Sequence, residues 1–261
     1  MNVKKLIINA DDFGLTPGVS HGIIETYLNG LVTSTTALTV APYFKHGMEL
    51  ARKLVPDMPI GVHLTLTLRG AHPVLPLDKV PSLVNGDGTF WSQGEFEEKV
   101  DPEEVYCEWD AQIVRFLETG VRPDHLDSHH NVHGRNNELL EIAVALGEKY
   151  HLPLRNAVRS EGAVGMLDMY GSVPTTDKMM SQFYDANVSL ETLVQIFDDI
   201  VRDDGEFYEL NTHPAFVDAP LQECTSYCAQ RLREQTIMKS AEAAQAVRDH
   251  RIMLTNYAVF G

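Results

Sequence analysis

Runs of apolar residues, alternating or continuous, recur along the chain and predict β-strands. In residues 60–67, for example, Gly61, His63 and Thr65 fall on one face of an extended chain, whereas Val62 and Leu64 fall on the other. Such alternation is typical of a strand with one buried face. Seven strands are predicted in this way, at residues 6–10, 34–40, 60–67, 125–128, 154–156, 206–212 and 252–255.

Stretches with helical spacing separate most of these strands. Thr16-Pro17 and Asp101-Pro102 each place a capping side chain before a proline, which is the pattern of a helix start. Besides the helix that begins near Pro17, we predict helices at residues 101–120, 137–150, 190–201 and 239–247. Strands that alternate with helices favour right-handed crossovers and a parallel sheet. We therefore predict an α/β fold, an incomplete seven-stranded (β/α) barrel similar to a TIM barrel, with an open doubly wound sheet as the alternative.

Length and composition fit a single folded unit. The chain has 261 residues, of which 44% are hydrophobic, which is enough for one large core. No shift in composition marks a domain boundary, so we predict one domain over residues 1–261. Two long interruptions, near residues 69–99 and 156–188, are predicted to be insertions that shape the mouth of the site.

The charge balance and the cysteines limit the partners and the compartment. There are 37 acidic residues against 21 lysines and arginines, and the resulting net charge of -16 repels nucleic acid and anionic lipid. No apolar run approaches the length needed to cross a bilayer, and Asn9 and Asp11 interrupt the amino-terminal apolar stretch before it could form a signal-peptide core. Cysteines are sparse, at Cys107, Cys224 and Cys228, which predicts reduced thiols in a cytoplasmic protein.

The segment 125–133 carries the most distinctive chemistry of the sequence. It places four histidines and one aspartate within nine residues, namely His125, Asp127, His129, His130 and His133. Imidazole and carboxylate ligands suit zinc, iron, nickel, cobalt or manganese, and no cysteine lies nearby to complete a closed structural zinc site. We therefore predict a catalytic metal with an open coordination position, with at least one ligand among His129 and His133.

Candidate partners of this segment belong to three other predicted strands. Asp11 and Asp12 follow the first strand directly. His63 belongs to the third strand, and His213 follows the sixth. In a (β/α) barrel the carboxyl ends of the strands meet at one rim, where the active site lies. Two adjacent carboxylates repel each other and favour a nearby cation, so one aspartate could bind metal while the other serves as a base.

Together these motifs resemble those of the YdjC-like carbohydrate deacetylases, which include the chitooligosaccharide deacetylases. The resemblance rests on Asn-Ala-Asp-Asp-Phe-Gly at 9–14, Thr-Ser-Thr-Thr-Ala at 33–37, Gly-Val-His-Leu-Thr-Leu-Thr at 61–67, the segment 125–133, and His213-Pro214. The motifs cover most of the chain in unchanged order and are long enough to be specific.

This resemblance implies a role for each candidate residue. It implies that Asp12, His63 and His129 hold a divalent metal and that Asp11 is the general base. Similarity to the wider polysaccharide deacetylases implies that His213 is the general acid. The remaining candidates are expected to orient the ligands or the acid, or to contact substrate: His125, Asp127, His133 and Arg155.

The same resemblance implies the reaction, the cofactor and the partners. The expected substrate is an N-acetylated mono- or oligosaccharide, and the expected cofactor is magnesium or zinc, with manganese, cobalt or iron as alternatives. Stacking on sugar rings is a candidate role for Phe90, Trp91 and Tyr170. The resemblance also makes a homodimer possible, and the sequence leaves the oligomeric state open. One departure is visible, because family members commonly have histidine where this chain has Asn131.

Three other functions are compatible with parts of this pattern. His125-Leu126-Asp127 matches the spelling of an iron-oxygenase site, although such sites usually belong to an antiparallel jelly roll. A metal-dependent phosphoesterase fits the same ligands, but the sequence has no evident basic phosphate cradle. A sugar-binding protein without catalysis is the third option, although binding alone does not need an acid, a base and a metal together.

Overall fold

The computed structural model describes residues 3–157 and 168–261, and its centre is a parallel sheet. The seven strands are β1 Lys5–Phe13, β2 Ser34–Ala37, β3 Ile60–Leu64, β4 Leu126–Ser128, β5 Lys178–Met180, β6 Phe207–Thr212 and β7 Met253–Thr255. Every strand pair is parallel, and the order along the sheet is β4-β3-β2-β1-β6-β5, with β7 paired to β1.

Strand β1 is the central strand of this sheet. Its residues 5–10 pair with β6 along one edge. Along the other edge its first residues pair with β7, and its last residues pair with β2. The outer strands β4 and β5 do not pair with each other within the described ranges. The fold is therefore an incomplete (β/α) barrel, which confirms the predicted architecture.

Six of the seven predicted strands are present, whereas the strand predicted at residues 154–156 is not formed. At residues 154–156 the structure has only a single bridge from Leu154 to Leu126. The seventh strand of the structure is β5, which was not predicted and lies within the span that we predicted to be an insertion. Its sequence Lys-Met-Met has neither β-branched residues nor alternation, so the pattern gave no signal.

The helices lie between the strands in sequence. They are α1 Pro17–Asn29, α2 Phe44–Leu54, α3 Pro102–Leu117, α4 Asn137–Tyr150, α5 Leu190–Arg202, α6 Ala219–Cys224, α7 Ala229–Met238 and α8 Ala241–Asp249. Short 3₁₀ turns are Pro81–Leu83, Phe96–Glu98, His129–Gly134, Asp185–Asn187 and Tyr257–Phe260.

The predicted capping signals are confirmed. Thr16 accepts a hydrogen bond from the backbone of Val19, and Asp101 accepts from the first turn of α3. Helix α8 begins two residues later than predicted because Ser240 is its cap. Helices α2, α6 and α7 were not predicted.

Apolar side chains of the helices cover the outside of the sheet. In α5 the buried residues are Leu193, Ile196, Phe197 and Ile200, whose spacing of three and four places them on one helical face. Trp109 and Phe116 of α3 are fully buried as well. No helix among the described residues combines the length and apolarity needed to cross a membrane.

Parallel pairing brings the carboxyl ends of the strands to one rim. Among the residues that follow or end β1, β3, β4 and β6 are Asp12, His63, His129 and His213, in that order. All four line a single cavity of about 1100 Å³. The fold therefore collects at one place the side chains that are far apart in sequence.

Candidate metal centre and active site

The two adjacent aspartates reach the cavity because β1 is irregular at its end. In a regular strand, neighbouring side chains point to opposite faces. Here the register between β1 and β2 shifts between Ala10 and Phe13, and Asp12 has a φ of 75°, which is unusual for a residue with a side chain. Both Asp11 and Asp12 are buried and both line the cavity. Local backbone strain at this bulge thus places two carboxylates in one site.

Asp12, His63 and His129 form a compact group of potential metal ligands. Oδ1 of Asp12 lies 3.0 Å from Nδ1 of His129 and 3.5 Å from Nε2 of His63. One ligand atom from each residue lies within 4.8 Å of the others. Asp12 and His63 are buried, whereas the side chain of His129 is 12% exposed on the cavity side. The group is therefore shielded by the protein on one side and accessible from the cavity on the other.

The hydrogen bonds around this group favour a cation between its members. Oδ1 of Asp12 is buried and accepts no hydrogen bond from the residues that the structure describes, although two imidazole nitrogens lie nearby. Its other oxygen, Oδ2, pairs with Arg231 at 2.6 Å. Nδ1 of His63 contacts Asp127 at 2.6 Å, which leaves Nε2 of His63 facing Asp12. A carboxylate behind a histidine is the usual arrangement of a histidine metal ligand. The residues present thus fit a divalent cation with one oxygen and two nitrogen ligands.

The protonation of the group is compatible with this role. Burial by itself raises the pKa of Asp12, but Arg231, His129 and His63 outweigh it and hold that pKa well below the usual value. Asp12 is therefore a carboxylate at neutral pH. Burial lowers the pKa of His63, but the surrounding carboxylates, Asp127 first, outweigh it and raise that pKa. A bound cation would replace the proton that this anionic surrounding attracts to His63.

A second group, formed by Asp11, His63 and Asp127, has the same spacing but a different character. Arg155 lies among these carboxylates with its side chain fully buried. It donates to both oxygens of Asp11, at 2.8 and 2.6 Å, and its NH2 atom lies 2.9 Å from Asp127. Its Nε atom donates to Glu209 at 2.8 Å. One guanidinium thus pairs with three carboxylates, so this group is an ion-pair network rather than a second metal site.

His213 lies beside Asp11 and lines the cavity. Its Nε2 is 3.9 Å from Oδ2 of Asp11, and its side chain is 15% exposed. Its Nδ1 is buried without a hydrogen bond, 3.9 Å from Oε2 of Glu234. The buried Glu234 accepts hydrogen bonds from the hydroxyls of Thr212 and Tyr227, both at 2.6 Å, and from the backbone of His213. Glu234 therefore fixes the end of β6 on which His213 is mounted.

The segment after β4 turns sharply so that several of its polar side chains line the cavity. His130 and Asn131 have φ angles of 57° and 51°, and both line the cavity with His129. Oδ1 of Asn131 accepts a hydrogen bond from Arg155 at 3.2 Å, so this residue supports the ion-pair network. Burial lowers the pKa of His130 to about 3, and its Nδ1 contacts the hydroxyl of Thr67 at 2.8 Å.

His133 lies behind the site rather than in it. Its ring bridges the hydroxyl of Ser128, at 2.5 Å, and the backbone oxygen of Arg155, at 3.0 Å. It is fully buried, and burial lowers its pKa to about 4. This neutral ring connects the segment after β4 with the backbone that carries Arg155, and it touches neither His213 nor the three candidate ligands.

His125 lies deeper in the barrel, two residues before Asp127 on the same strand face. Its ring stacks on Tyr257, with centroids 3.7 Å apart, and its Nδ1 contacts Asp124 at 2.8 Å. Gly61 permits this position, because a Cβ there would lie 2.6 Å from the His125 ring. His125 therefore does not contact the candidate ligands or His213, and its predicted orienting role finds no support in these contacts.

The aromatic residues expected to stack on sugar do not line the cavity. Phe90 and Tyr170 are buried in the core, and the Tyr170 hydroxyl donates to the backbone oxygen of Arg155. Trp91 donates to the backbone of Ser82 and packs under Lys99 instead. These rings do not line the cavity because large apolar side chains stabilise the fold most when they are buried.

Sequence reasoning missed three charged residues of the site. Arg231 and Glu234 belong to α7, a polar helix without a clear apolar face, and nothing in its pattern sets them apart. Glu209 had a visible signal, because it interrupts the otherwise uncharged strand 207–212. Alternation along β6 places Glu209, Asn211 and His213 on one face, so a charge inside that run indicated the polar interior of the barrel.

Comparison with known proteins agrees with this geometry. Residues 5–249 match the YdjC-like protein family. A carbohydrate deacetylase of Enterococcus faecalis is 55% identical over 98% of both chains, and one of Geobacillus stearothermophilus is 34% identical over 97% of both.

A crystal structure from Enterococcus faecalis, provisionally described as a cellobiose-phosphate cleavage protein, has a TM-score of 0.98 with 54% identity over 99% of both chains. A match to an uncharacterised protein of Agrobacterium tumefaciens, with a TM-score of 0.56 and 11% identity, covers 100% of this chain and 90% of that one, and shows only a shared fold. The chain belongs to the YdjC-like protein family.

Proposed function

We propose that this protein is a metal-dependent deacetylase that hydrolyses the acetamide of N-acetylated mono- or oligosaccharides. The observation that carries the proposal is the arrangement of Asp12, His63 and His129 beside Asp11 and His213 in one cavity. Two of the relatives with similarity along the whole chain are named carbohydrate deacetylases, which supports the same reaction.

Asp12, His63 and His129 would hold the cation. Two imidazole nitrogens and one carboxylate oxygen favour zinc or a similar transition metal over magnesium, which prefers oxygen ligands. When bound, the cation would supply Lewis acidity, which lowers the pKa of water and polarises an amide carbonyl. Arg231 keeps Oδ2 of Asp12 occupied, so that only Oδ1 is directed at the cation.

Asp11 is the candidate general base. Burial raises its pKa, but Arg155 outweighs this effect and holds the pKa below its usual value, so the carboxylate is ionised at neutral pH. Its Oδ2 accepts one hydrogen bond from Arg155 and faces His213 across a gap of 3.9 Å, which leaves a lone pair for a proton from the attacking water. Asn9 and Arg155 both donate to Oδ1 and fix the carboxylate plane.

His213 is the candidate general acid. The departing amine needs a proton, and an imidazole at the edge of the cavity is suited to deliver it from Nε2. Its Nε2 lies 3.9 Å from Oδ2 of Asp11, so the candidate acid and the candidate base are neighbours in the cavity. Both groups line the cavity, so a substrate amide bound there can contact the base and the acid from the same side.

The direct test is acetate release. Purified protein reconstituted with zinc is expected to liberate acetate from the disaccharide of N-acetylglucosamine, and protein treated with a chelator is expected to lose this activity. Restored activity on adding zinc back would separate metal removal from irreversible damage. No acetate from N-acetylated mono-, di- and trisaccharides with any of zinc, cobalt, manganese or magnesium would contradict the proposed function.

The outer part of the cavity offers a place for an anionic substituent. Arg69 and Arg115 both line it, and within the described ranges neither forms an ion pair at 4 Å or less. Unpaired arginines are conspicuous in a chain with a net charge of -16. The acetate assay should therefore include the same disaccharide carrying one phosphate, for which we propose a lower KM than for the neutral sugar.

The metal ligands can be tested separately from catalysis. Asp12→Ala, His63→Ala and His129→Ala are each expected to reduce bound zinc to well below one equivalent, because each removes one of three protein ligands. Metal content is measured by plasma mass spectrometry after gel filtration. His21→Ala, on the exposed side of α1, is the matched control and is expected to retain zinc. Any of the three variants that keeps one equivalent of zinc is not a ligand.

The alternative functions are less compatible with the geometry. An iron site at His125 and Asp127 is contradicted by their contacts, because His125 contacts Asp124 and Tyr257 while Asp127 contacts His63 and Arg155. A phosphoesterase would use the same cation, but Arg155 and Arg231, the arginines next to Asp11 and Asp12, already pair with these carboxylates and are not directed at a phosphate. A sugar-binding protein would not need a buried carboxylate 3.9 Å from an imidazole beside a candidate metal site.

A further inference from the structure

Two stacked tyrosines beside His213 have no role in the proposed reaction. The rings of Tyr184 and Tyr227 are nearly parallel, with centroids 4.6 Å apart and an interplanar angle of 9°. Tyr184 comes just before the 3₁₀ turn Asp185–Asn187, and Tyr227 comes just before α7. Both rings line the cavity that contains the candidate metal site.

The position of His213 shows which face of the stack is free. Its ring centroid is 5.7 Å from that of Tyr184 and 5.9 Å from that of Tyr227, with interplanar angles of 66° and 74°. Nearly equal distances place His213 at the side of the stack. A ring over the outer face of Tyr184 would instead be much farther from Tyr227. The inner face of Tyr184 is covered by Tyr227, so its 49% exposure belongs to the outer face and the edges.

The exposed ring is held rigidly. The Tyr227 hydroxyl donates to Glu234 at 2.6 Å and accepts from the backbone of Asp185 at 3.0 Å. The side chain of Gln230 donates to Asp185 at 2.9 Å. These bonds fix the segment that carries Tyr184 onto α7. A ligand that packs on this ring therefore loses little free energy to ordering it.

We propose that the outer face of Tyr184 is a stacking platform for the pyranose ring that carries the departing amine. This inference rests on the proposed function. A general acid must come within about 2.6–3.2 Å of the leaving nitrogen, so that nitrogen lies next to His213. Because the nitrogen is bonded directly to a ring carbon, the pyranose must contact whatever flanks His213, and Tyr184 does.

The chemistry of the two rings is complementary. A pyranose presents apolar C–H groups on its faces and hydroxyls around its edge. Burial of the C–H groups against the electron-rich face of tyrosine removes apolar surface from water. Ser181 and Thr225 line the cavity within three residues of the two tyrosines and supply hydroxyl groups for the edge of the sugar.

The test compares Tyr184→Leu with Tyr184→Phe. The leucine variant removes the aromatic face and is expected to raise KM for the N-acetylglucosamine disaccharide about tenfold, a loss of about 1.4 kcal/mol in binding, with kcat changed by about twofold or less. The phenylalanine variant keeps the face and is expected to retain the original KM. Calorimetry with the deacetylated disaccharide, on zinc-loaded protein, should show the same tenfold rise in Kd for leucine only.

Tyr106→Leu is the matched control, because Tyr106 is a half-buried tyrosine of α3 outside the cavity, and it should leave KM and Kd unchanged. Tyr184→Trp keeps a flat ring and should retain binding even if the leucine variant loosens its loop. Original KM and Kd in Tyr184→Leu, or equal losses in the leucine and phenylalanine variants, would overturn the platform. Absence of acetate release and of sugar binding in the unmodified protein would instead overturn the proposed function.

Discussion

Asp11→Asn is expected to lower kcat by about 10² to 10⁴ while leaving one equivalent of bound zinc, because it removes a general base but no metal ligand. The amide oxygen can still accept a hydrogen bond from Arg155, so the orientation of Arg155 is retained. Asp127 and Glu209 still pair with that arginine after the change, so we expect the variant to fold. Acetate release at saturating substrate and the zinc content together measure the effect.

Asp198→Asn is the control for this substitution. Its carboxylate lies on α5, is 40% exposed and is remote from the cavity, so acetate release should be unchanged. If Asp11→Asn turns over substrate at the original rate, Asp11 is not the base. If it loses zinc together with activity, Asp11 belongs to the metal site, and the two aspartates of the bulge share the cation.

The fold could be predicted because it depends on patterns that repeat along the chain. Apolar runs that end in polar motifs marked β1, β3 and β6, and capping residues marked α1 and α3. Strand β5 escaped detection because three residues without alternation carry no period. Its place in the sheet is set by pairing with β6 and by tertiary contacts, which local propensity does not contain.

The gathering of the candidate site was predictable from one general rule. Parallel strands bring their carboxyl ends to one rim, so polar residues at several strand ends are expected to meet. The rule places Asp12, His63, His129 and His213 in one cavity, as observed. It does not explain how neighbours such as Asp11 and Asp12 both reach that cavity, because this needs the bulge and the positive φ at Asp12.

The contacts among charged residues were less predictable. Arg231 is 219 positions from its partner Asp12, and no local pattern predicts such a pair. The residue pattern alone left His129 and His133 as equal ligand candidates, yet the structure separates them. His129 faces the cation site, whereas His125 and His133 are packed in the interior with other partners. The position of each histidine along the strand and the turn after β4 determine these roles, and neither can be read from the composition of the segment.

Replacement of Arg155 is expected to have the largest effect on stability. Arg155→Met should lower the free energy of unfolding by about 3–5 kcal/mol, because it leaves Asp11, Asp127 and Glu209 buried without their cation. Arg155→Lys should recover only part of this loss, since a single ammonium group cannot bridge three carboxylates as a guanidinium does. Urea unfolding of the zinc-free proteins measures both changes.

The pH dependence gives this prediction a specific signature. Burial raises the pKa of Asp11 and Asp127, but Arg155 outweighs it and holds both below their usual values, so their stabilising contribution is present at neutral pH and is lost as pH falls through those low values. Without Arg155, burial dominates and the carboxylates bind protons more tightly in the folded state than in the unfolded state. The Arg155→Met protein should therefore gain stability on acidification, and its difference from the unmodified protein should narrow between pH 7 and pH 4.

Arg202→Met is the matched control, because that arginine is 69% exposed and pairs only with Asp198 on the surface of α5. Its unfolding free energy should change by about 0.5 kcal/mol or less at either pH. An Arg155→Met protein as stable as this control would contradict the ion pairs of Arg155 with Asp11, Asp127 and Glu209 as a source of stability.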